Sequence, residues 1–240
     1  MAIRSREDRL EMLLGVIAWL DSVKLIHLIS SITAPDQFMC NDFVRGTCRR
    51  RVDVLVKDKI LTNYQGQAVY SSITGTLHRG VIHAPTGSGK TRIAAAIMAV
   101  HGGRWVFLAP NTSLVKQAEK EIIEQALPAM AKSLAALDGD FTLPQVSFST
   151  YSMASSFTLE QADGIIGDEC HTTAARTRRE ALLCSGAKYR IGMSATPLDR
   201  QNSNNGLIIG LFGPVVYLIR LKDVEAAGRI ARGQVFQLLI

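Results

Sequence analysis

The sequence predicts an α/β fold, a parallel sheet with helices on both faces, and three observations carry this prediction. Short apolar runs alternate with helical patterns along most of the chain. A glycine-rich loop joins the apolar run at 80–82 to a long helical pattern at 92–100. Polar motifs follow the apolar runs directly, and in a parallel sheet such motifs meet at one edge, where ligands bind.

Composition restricts the class of protein. Of the 240 residues, 47% are hydrophobic and 20% are charged, which indicates a globular chain long enough to bury a core. The formal net charge of +6 favours a polyanionic partner, although a general role in solubility accounts for it equally well. The four cysteines show neither a CxxC pair nor zinc spacing, so we expect free thiols.

The first part of the chain, residues 1–60, is predicted to be a small, mainly helical accessory segment. Residues 1–34 have helical spacing, and either a hairpin that docks on a partner or plain core packing explains it. The valines at 52, 54 and 56 alternate with other residues, which predicts a strand there. The basic run 49–51 leaves two interpretations open, contact with phosphates or a solvated face.

The loop at 84–91 has the sequence expected of a phosphate-binding loop. Gly87 and Gly89 permit a tight turn whose N–H groups point at phosphate oxygens, and the following helix adds partial positive charge. Lys90 is placed to reach the β- and γ-phosphates, and the Thr91 hydroxyl is placed to hold Mg²⁺. The usual first glycine is Ala84 here, a departure that precedes the tight part of the turn.

The remaining elements alternate as an α/β fold requires. A helix is predicted from residue 61, and another from 112 to 127, where Pro128 follows. Strands are predicted at 80–82, 105–109, 145–149, 163–168 and 190–193.

Two motifs behind the phosphate loop carry the remaining chemistry. Asp168 closes an apolar strand and is suited to the Mg²⁺ shell, and Glu169 can orient and deprotonate a water. His171 is a candidate link to the loop 194–196, the alternative being a surface histidine. Cys170 is interpreted as a packing residue because no base is assigned to it.

In this order, the motifs APTGSGKT, APNTSLVKQ, STYS, DECH and SATP resemble those of superfamily 2 helicases. The resemblance covers residues 60–240 and implies a RecA-like domain at 61–220, the first of two. Within the superfamily the chain is most similar to the branch of XPB, phage UvsW-type helicases and restriction-enzyme Res subunits. It departs from that pattern at Gly167, where a branched residue is usual, and we expect a looser strand.

The resemblance implies an ATP-dependent helicase or translocase that uses ATP and Mg²⁺ and favours DNA over RNA. Phosphate binding falls to Thr86, Gly87, Ser88, Gly89, Lys90 and Thr91. Adenine recognition falls to Gln65, metal binding to Thr91 and Asp168, and catalysis to Lys90, Asp168, Glu169 and His171. It assigns the coupling of hydrolysis to strand movement to Ser194, Ala195 and Thr196. It assigns contacts with the nucleic-acid backbone to Pro110, Asn111, Gln117, Thr150 and Tyr151.

The resemblance also implies a second RecA-like domain, in cis or in trans, that supplies arginine fingers. Residues 221–240 are expected to begin the linker to it, so that this chain is the first half of a motor. Two other functions stay open: a nucleotide-gated binding module without turnover, and a phosphate-loop ATPase that is not a helicase. The apolar run 12–20 is too short to span a bilayer, so we expect no membrane contact and a cytoplasmic or nucleoid-associated protein.

Overall fold

A parallel sheet of six strands forms the centre of the computed structural model, which describes residues 35–74, 78–154, 159–174, 182, 185–198 and 205–230. The strands in chain order are β1 (Arg79–His83), β2 (Arg104–Ala109), β3 (Gln145–Thr150), β4 (Gly164–Asp168), β5 (Tyr189–Ser194) and β6 (Val215–Leu218). Their order across the sheet is β3-β2-β4-β5-β1-β6, and every neighbouring pair is parallel. The predicted fold class is therefore confirmed, and β6 is a strand that the sequence patterns did not predict.

The helices connect these strands and flank the sheet. They are α1 (Pro35–Lys57), α2 (Asn63–Thr74), α3 (Lys90–His101), α4 (Thr112–Glu119), α5 (Leu127–Leu137), α6 (Asn205–Phe212) and α7 (Leu221–Ala226). A π-helix, Lys120–Ala126, joins α4 to α5, and a 3₁₀ helix spans Cys170–Ala174. Within the described ranges, none of these helices has both the length and the apolar character that crossing a bilayer demands.

Each face of the sheet has its own apolar core. On one face, strand residues such as Ile82 and Phe107 pack against α1, α2, α3, the π-helix and α5. On the other face, Val106 and Ile165 pack with Leu211 and Phe212 of α6. A fully buried side chain of this size contributes about 1.5–3 kcal/mol. The two cores therefore hold the strand ends, and the loops that follow them, in a fixed arrangement.

The strand predicted around Val52 is wrong, because α1 runs through it to Lys57. Cys48, Val52 and Leu55 lie four and three residues apart, and all three are buried against the neighbouring helices. Val54 is only half-buried. The helical face thus outweighs the preference of valine for strands, since burial of a whole face exceeds a propensity difference of about 1 kcal/mol or less.

The helix predicted to end at Leu127 continues to Leu137, so this boundary is also wrong. Pro128 lacks an N–H group, and its ring would press on the carbonyl of the preceding turn in a regular α-helix. The wider π-helix lies directly before it, with the Leu127 N–H donating to the Ile122 carbonyl, five residues back. Such a widened turn lets the helix pass the proline.

The outer parts of the chain fall outside the described residues. The helical prediction for residues 1–34 and the linker prediction beyond residue 230 lie there. Cys48 and Cys170 are buried free thiols, whereas the side chains of Cys40 and Cys184 lie outside the described part.

Arg51 ties α1 to the chain that follows α5. Its Nε donates to Asp138 Oδ2 at 2.6 Å, and its Nη1 donates to the Val100 carbonyl at 2.7 Å. The guanidinium carbon also lies 5.4 Å from the ring centre of Phe141. Arg51 is therefore a half-buried structural residue and does not belong to a solvated face, which was one interpretation of the basic run 49–51.

We predict that Arg51→Ala lowers the free energy of unfolding by about 2 kcal/mol, because a carboxylate and a carbonyl lose a charged donor. Arg50→Ala, at the exposed neighbouring position, should change it by less than about 0.5 kcal/mol. Urea denaturation followed by circular dichroism measures both. Equal effects of the two substitutions would contradict the prediction.

A cluster of rings closes the edge of the sheet at which the strands begin. The His101 ring lies 4.4 Å from the ring of Tyr189 and 6.0 Å from that of Trp105, between centres. Burial lowers the pKa of His101 to about 3, and the charges of His78, Lys188 and Arg51 add to this effect. His101 is therefore neutral in the folded protein at neutral pH.

We predict that this histidine makes the fold acid-sensitive. Its pKa is lower in the folded than in the unfolded chain, so stability is complete above about pH 6.5 and is lost as the pH falls toward 3. Between pH 7 and pH 5 the loss should be about 2 kcal/mol. His101→Phe keeps a ring in the cluster and should remove this part of the pH dependence, as measured by denaturation curves at several pH values. If the free energy of unfolding of this variant still falls with pH as steeply as that of the wild type, the prediction is wrong.

Candidate functional site

The loop between β1 and α3 adopts the turn that its glycines predict. Gly87 and Gly89 have φ of 80° and 78°, in the left-handed region that residues with a Cβ avoid. Gly89 is also the N-cap of α3, so the helix N-terminus faces the loop. Ala84 is fully buried in the core, and its N–H donates to the Ser194 carbonyl at 2.8 Å. Its methyl group is therefore accommodated without disturbing the turn.

Tyr64 and Gln65 support this loop from α2. The Tyr64 hydroxyl and the Gln65 Nε2 both donate to the Ser88 carbonyl, each at 3.0 Å. The Gln65 Oε1 accepts from the Thr62 N–H at 3.0 Å, and the Gln65 side chain is completely buried. A Cβ at position 89 would lie 2.6 Å from Gln65 Nε2. The role predicted for Gln65 toward adenine stays a prediction, and its observed contact is with the loop backbone.

The carboxyl ends of β1 and β4 bring Lys90 to the two acidic residues. Its ammonium group pairs directly with Glu169 Oε1 and lies 4.0 Å from Asp168 Oδ1. β5 lies between β1 and β4 in the sheet, so the lysine reaches across one strand. The parallel register thus gathers three of the predicted catalytic residues at one place.

Two polar atoms at this site are left unsatisfied, which is the test of whether a ligand fits. Within the described part of the chain, Asp168 Oδ1 and Ser88 Oγ are buried and have no hydrogen-bond partner. Burial raises the pKa of Asp168; the Lys90 ammonium opposes this rise, and the Glu169 carboxylate adds to it. A buried polar atom without a partner is costly, and a bound phosphate with its metal ion would satisfy such atoms. The residues present therefore fit ATP with Mg²⁺.

Metal binding by this set would depend on the nucleotide. Among the residues that the structure describes, no three His, Cys, Asp or Glu side chains are grouped so as to hold an ion. Mg²⁺ is often bound by one or two protein oxygens together with substrate phosphates and water. Asp168 and Thr91, which lies in the first turn of α3, stay the predicted protein ligands of such a partial set.

Glu169 is the centre of a second group of contacts. Its Oε2 accepts from Ser194 Oγ at 3.3 Å and lies 3.4 Å from His171 Nδ1. His171 Nδ1 and Ser194 Oγ are 2.7 Å apart, and the Thr196 N–H donates to Ser194 Oγ at 3.1 Å. The structure therefore joins the Asp-Glu turn to the loop 194–196, which also contains the half-buried Ala195.

The turn that holds these carboxylates is conformationally costly. Glu169 has a φ of 48°, a left-handed conformation that costs a residue with a Cβ roughly 1–2 kcal/mol. The next residue, Cys170, is buried, and burial followed by the charges of Glu169 and Asp168 raises the pKa of its thiol to about 12. A protonated, buried thiol agrees with the packing role expected for Cys170.

Gly167 does not loosen β4, contrary to our expectation. It pairs with Leu108 on one side and with Gly192 on the other, so the ladder continues through it. A Cβ at this position would lie 2.6 Å from Phe212 Cζ and 2.6 Å from the Tyr151 hydroxyl oxygen. The missing side chain is therefore space that two aromatic rings occupy.

The residues predicted to contact nucleic acid lie after β2, in α4 and at the end of β3. Asn111 caps α4, with its side chain accepting from the Leu114 N–H at 3.0 Å, and Gln117 is exposed on the same helix. Pro110 is half-buried before the cap, and Thr150 and Tyr151 are almost completely buried at the end of β3. Their contacts with nucleic acid stay a prediction. Tyr151 instead donates from its hydroxyl to the Asp168 carbonyl at 2.8 Å.

The structure adds contacts that no local pattern indicated. Ile230 lies over the phosphate loop, where a Cβ on Gly87 would approach its Cγ2 to 2.8 Å. An open cleft of about 630 Å³ lies beside Tyr64 and is lined also by Leu61, Thr62 and Tyr217. These residues come from distant parts of the chain, so sequence spacing could not have assembled them.

The comparisons with known proteins agree with this geometry. The sequence profile of the family described as type III restriction enzyme, res subunit, matches residues 58–199. The chain is 30% identical over 191 residues to the DNA 3'-5' translocase XPB2 of Sulfurisphaera tokodaii, covering 78% of this chain and 42% of that protein. It is 33% identical over 184 residues to the DNA 3'-5' helicase XPB of Mycobacterium tuberculosis, covering 71% and 32%.

A solved structure shares the fold. The UvsW helicase from bacteriophage T4 superposes with a TM-score of 0.50 and 18% identity, covering 65% of this chain and 59% of that one. The chain therefore spans less than half of the two XPB proteins just described and about three fifths of the phage helicase structure.

We predict that Gln65→Ala weakens binding of inorganic tripolyphosphate about tenfold, because the loop carbonyl loses a buried donor. If Gln65 also recognises adenine, ATP should lose a further several-fold. Displacement of a fluorescent nucleotide measures both ligands. Gln145→Ala, at an exposed position where β3 begins, on the sheet edge opposite the loop, is the control and should change neither affinity. Unchanged tripolyphosphate binding in Gln65→Ala would contradict the prediction.

Proposed function

Because the chain belongs to the type III restriction enzyme res-subunit family and is the first RecA-like domain of a superfamily 2 helicase, we propose that it binds ATP and Mg²⁺ and takes part in ATP-driven movement on DNA. The observation that carries this proposal is the gathering of Lys90, Asp168 and Glu169 beside the phosphate loop, where, among the described residues, Asp168 Oδ1 and Ser88 Oγ are buried without a hydrogen bond.

The phosphate loop would hold the triphosphate. The N–H groups from Thr86 to Thr91 and the α3 N-terminus bind its oxygens, and Lys90 neutralises charge on the β- and γ-phosphates. Mg²⁺, held by Thr91 and Asp168, would supply further charge neutralisation on the same phosphates. The cleft beside Tyr64 is large enough for a nucleobase. Gln65, the residue next to Tyr64, is the proposed adenine contact.

Glu169 is the proposed general base. In the structure its carboxylate pairs directly with Lys90. The γ-phosphate competes for the same ammonium group, so ATP binding draws Lys90 away and frees Glu169 to orient and deprotonate the attacking water. This exchange of partners makes the base available only when substrate is present.

The loop 194–196 is the proposed coupling element. Ser194 contacts both Glu169 and His171, and Thr196 donates to the Ser194 hydroxyl. A change at the Glu169 carboxylate therefore reaches this loop through one hydroxyl. In the intact motor the loop would pass the change to a second RecA-like domain, in cis or in trans, which would also supply arginine fingers.

DNA is the proposed polymer, and the proposed contacts to its backbone are Pro110, Asn111, Gln117, Thr150 and Tyr151. The net charge of +6 favours such a partner, and backbone contacts are independent of sequence and sensitive to salt. In this proposal residues 61–220 are the motor domain, 1–60 an accessory segment and 221–240 the start of the linker. Work on DNA would place the protein in the cytoplasm or at the nucleoid.

A nucleotide-gated binding module without turnover is the second candidate. The observation behind it is the direct pairing of Lys90 with Glu169: if this ion pair persists when ATP binds, Glu169 is not released to act on water. The two functions differ in whether nucleic acid stimulates hydrolysis.

We predict that the 240-residue chain binds ATP in a Mg²⁺-dependent manner and hydrolyses it slowly, with stimulation by DNA. Glu169→Gln should keep ATP binding and lower the rate by about 100-fold or more, because the water loses its base. Glu160→Gln, a matched change at an exposed position, should keep the rate.

Steady-state phosphate release with single- and double-stranded DNA and RNA measures the rate, and nucleotide fluorescence measures binding. Absence of ATP binding would refute the proposed function. ATP binding without hydrolysis in the presence of each of the four nucleic acids would support the second candidate. Stimulation of hydrolysis by RNA alone would show that the polymer is RNA and not DNA.

A further inference from the structure

Tyr151 connects three strand ends that belong to different parts of the proposed site. It follows β3, its N–H donates to the Ala109 carbonyl at the end of β2 at 3.2 Å, and its hydroxyl donates to the Asp168 carbonyl at the end of β4 at 2.8 Å. The strand order β3-β2-β4 means that this side chain reaches past β2 to the turn that carries Glu169.

The path to that turn is open only because position 167 is a glycine. A Cβ there would lie 2.6 Å from the Tyr151 hydroxyl oxygen, closer than side-chain carbons approach such an atom. The tyrosine ring itself is 1% exposed and packs in the same core as Phe212. The departure from the usual branched residue at Gly167 and the burial of Tyr151 are therefore two parts of one arrangement.

The carbonyl that Tyr151 holds belongs to the peptide unit that leads into Glu169. A peptide unit is planar, so fixing the Asp168 oxygen fixes the orientation of the Glu169 N–H and of the bond about which φ of Glu169 turns. That φ is 48°, a conformation that a glutamate adopts only when its surroundings require it. The Thr172 N–H donates to the Glu169 carbonyl at 3.0 Å and holds the turn from its other side.

The segment that carries Tyr151 is a compact turn. The Thr150 carbonyl accepts from the N–H groups of Met153 and Ala154 at 3.1 and 3.0 Å, and Thr150 Oγ1 lies 3.2 Å from Ser152 Oγ. Met153 is 72% exposed at its tip. Because the turn is internally bonded, a displacement of its exposed side moves Tyr151 with it, and with Tyr151 the Asp168–Glu169 peptide.

We propose that Tyr151 is a positioning residue that holds the Asp168–Glu169 peptide in its left-handed turn and transmits to Glu169 the position of the exposed turn 150–154. This inference rests on the proposed function, in which Glu169 is the base and this turn lies at the nucleic-acid face. A residue assigned to nucleic acid by sequence thus acts inward, on the hydrolysis site.

Tyr151→Phe in the full chain tests the proposal, because it keeps the buried ring and removes only the hydroxyl. Tyr70→Phe is the matched control, because it removes a hydroxyl that bonds to Asp53 on α1 and not to the Asp168–Glu169 turn. Amide hydrogen exchange of residues 165–174 is measured without ligand and then with DNA. Tyr151→Phe should accelerate amide exchange of residues 165–174 about five- to tenfold more than it accelerates exchange of the amides that open only by global unfolding. Tyr70→Phe should show no such local acceleration.

Kinetics supply the second readout. Tyr151→Phe should lower kcat for DNA-stimulated ATP hydrolysis about tenfold and leave KM for ATP within twofold, because the phosphate loop is untouched. If Tyr151 only stabilised the fold, folded Tyr151→Phe protein would have the kcat and the KM of the wild type. The response of residues 165–174 to DNA should also disappear in this variant.

The outcomes separate this inference from the proposed function. Wild-type protein that binds no ATP refutes the proposed function, whereas the exchange measured without ligand still decides whether Tyr151 holds the turn. Unchanged exchange of residues 165–174 in Tyr151→Phe overturns the inference, even when the wild type is an active ATPase. Accelerated exchange with an unchanged kcat, in an active protein, also overturns it, because the hydroxyl then has no effect on Glu169.

Discussion

The parallel pairing of β1, β5 and β4 is the constraint on which the rest of the site depends. It places the end of each strand at one edge of the sheet, so that Lys90, Ser194 and Glu169 meet although the chain separates them widely. The hydrogen bonds of this ladder are buried between two apolar cores, which leaves the register no room to slip. The sheet therefore fixes the positions of the loops, and the loop sequences provide the functional groups.

Several features of the site are unfavourable for folding, and packing elsewhere in the structure offsets them. The left-handed conformation of Glu169, the buried carboxylate of Asp168 and the unpartnered Ser88 hydroxyl each make the folded state less stable. The surrounding structure offsets this through helices on both faces of the sheet and through Phe212, whose ring occupies the space left by Gly167 and contacts Gly192. A rigid scaffold that holds a strained centre is what a site built for phosphate and metal requires, because the ligand then supplies the missing partners.

Three contacts link the phosphate loop to other parts of the chain. Lys90 pairs with Glu169, the Ser88 carbonyl accepts from Gln65, and Ile230 lies over Gly87. The position of the loop therefore depends on β4, α2 and residue 230 as well as on the sequence of the loop itself.

The sequence alone determined the fold class, the phosphate loop and the identity of the acidic pair, because these depend on short-range rules. Apolar runs of strand length, positive φ at Gly87 and Gly89, and a helix that starts at Lys90 are all local properties. Only the tertiary structure decided the rest. Packing turned the valines near residue 52 into a helix and carried a helix past Pro128, since burial of a face outweighs local preference. It also turned Tyr151 inward to Asp168, because the space beside Gly167 is created by residues far apart in the chain.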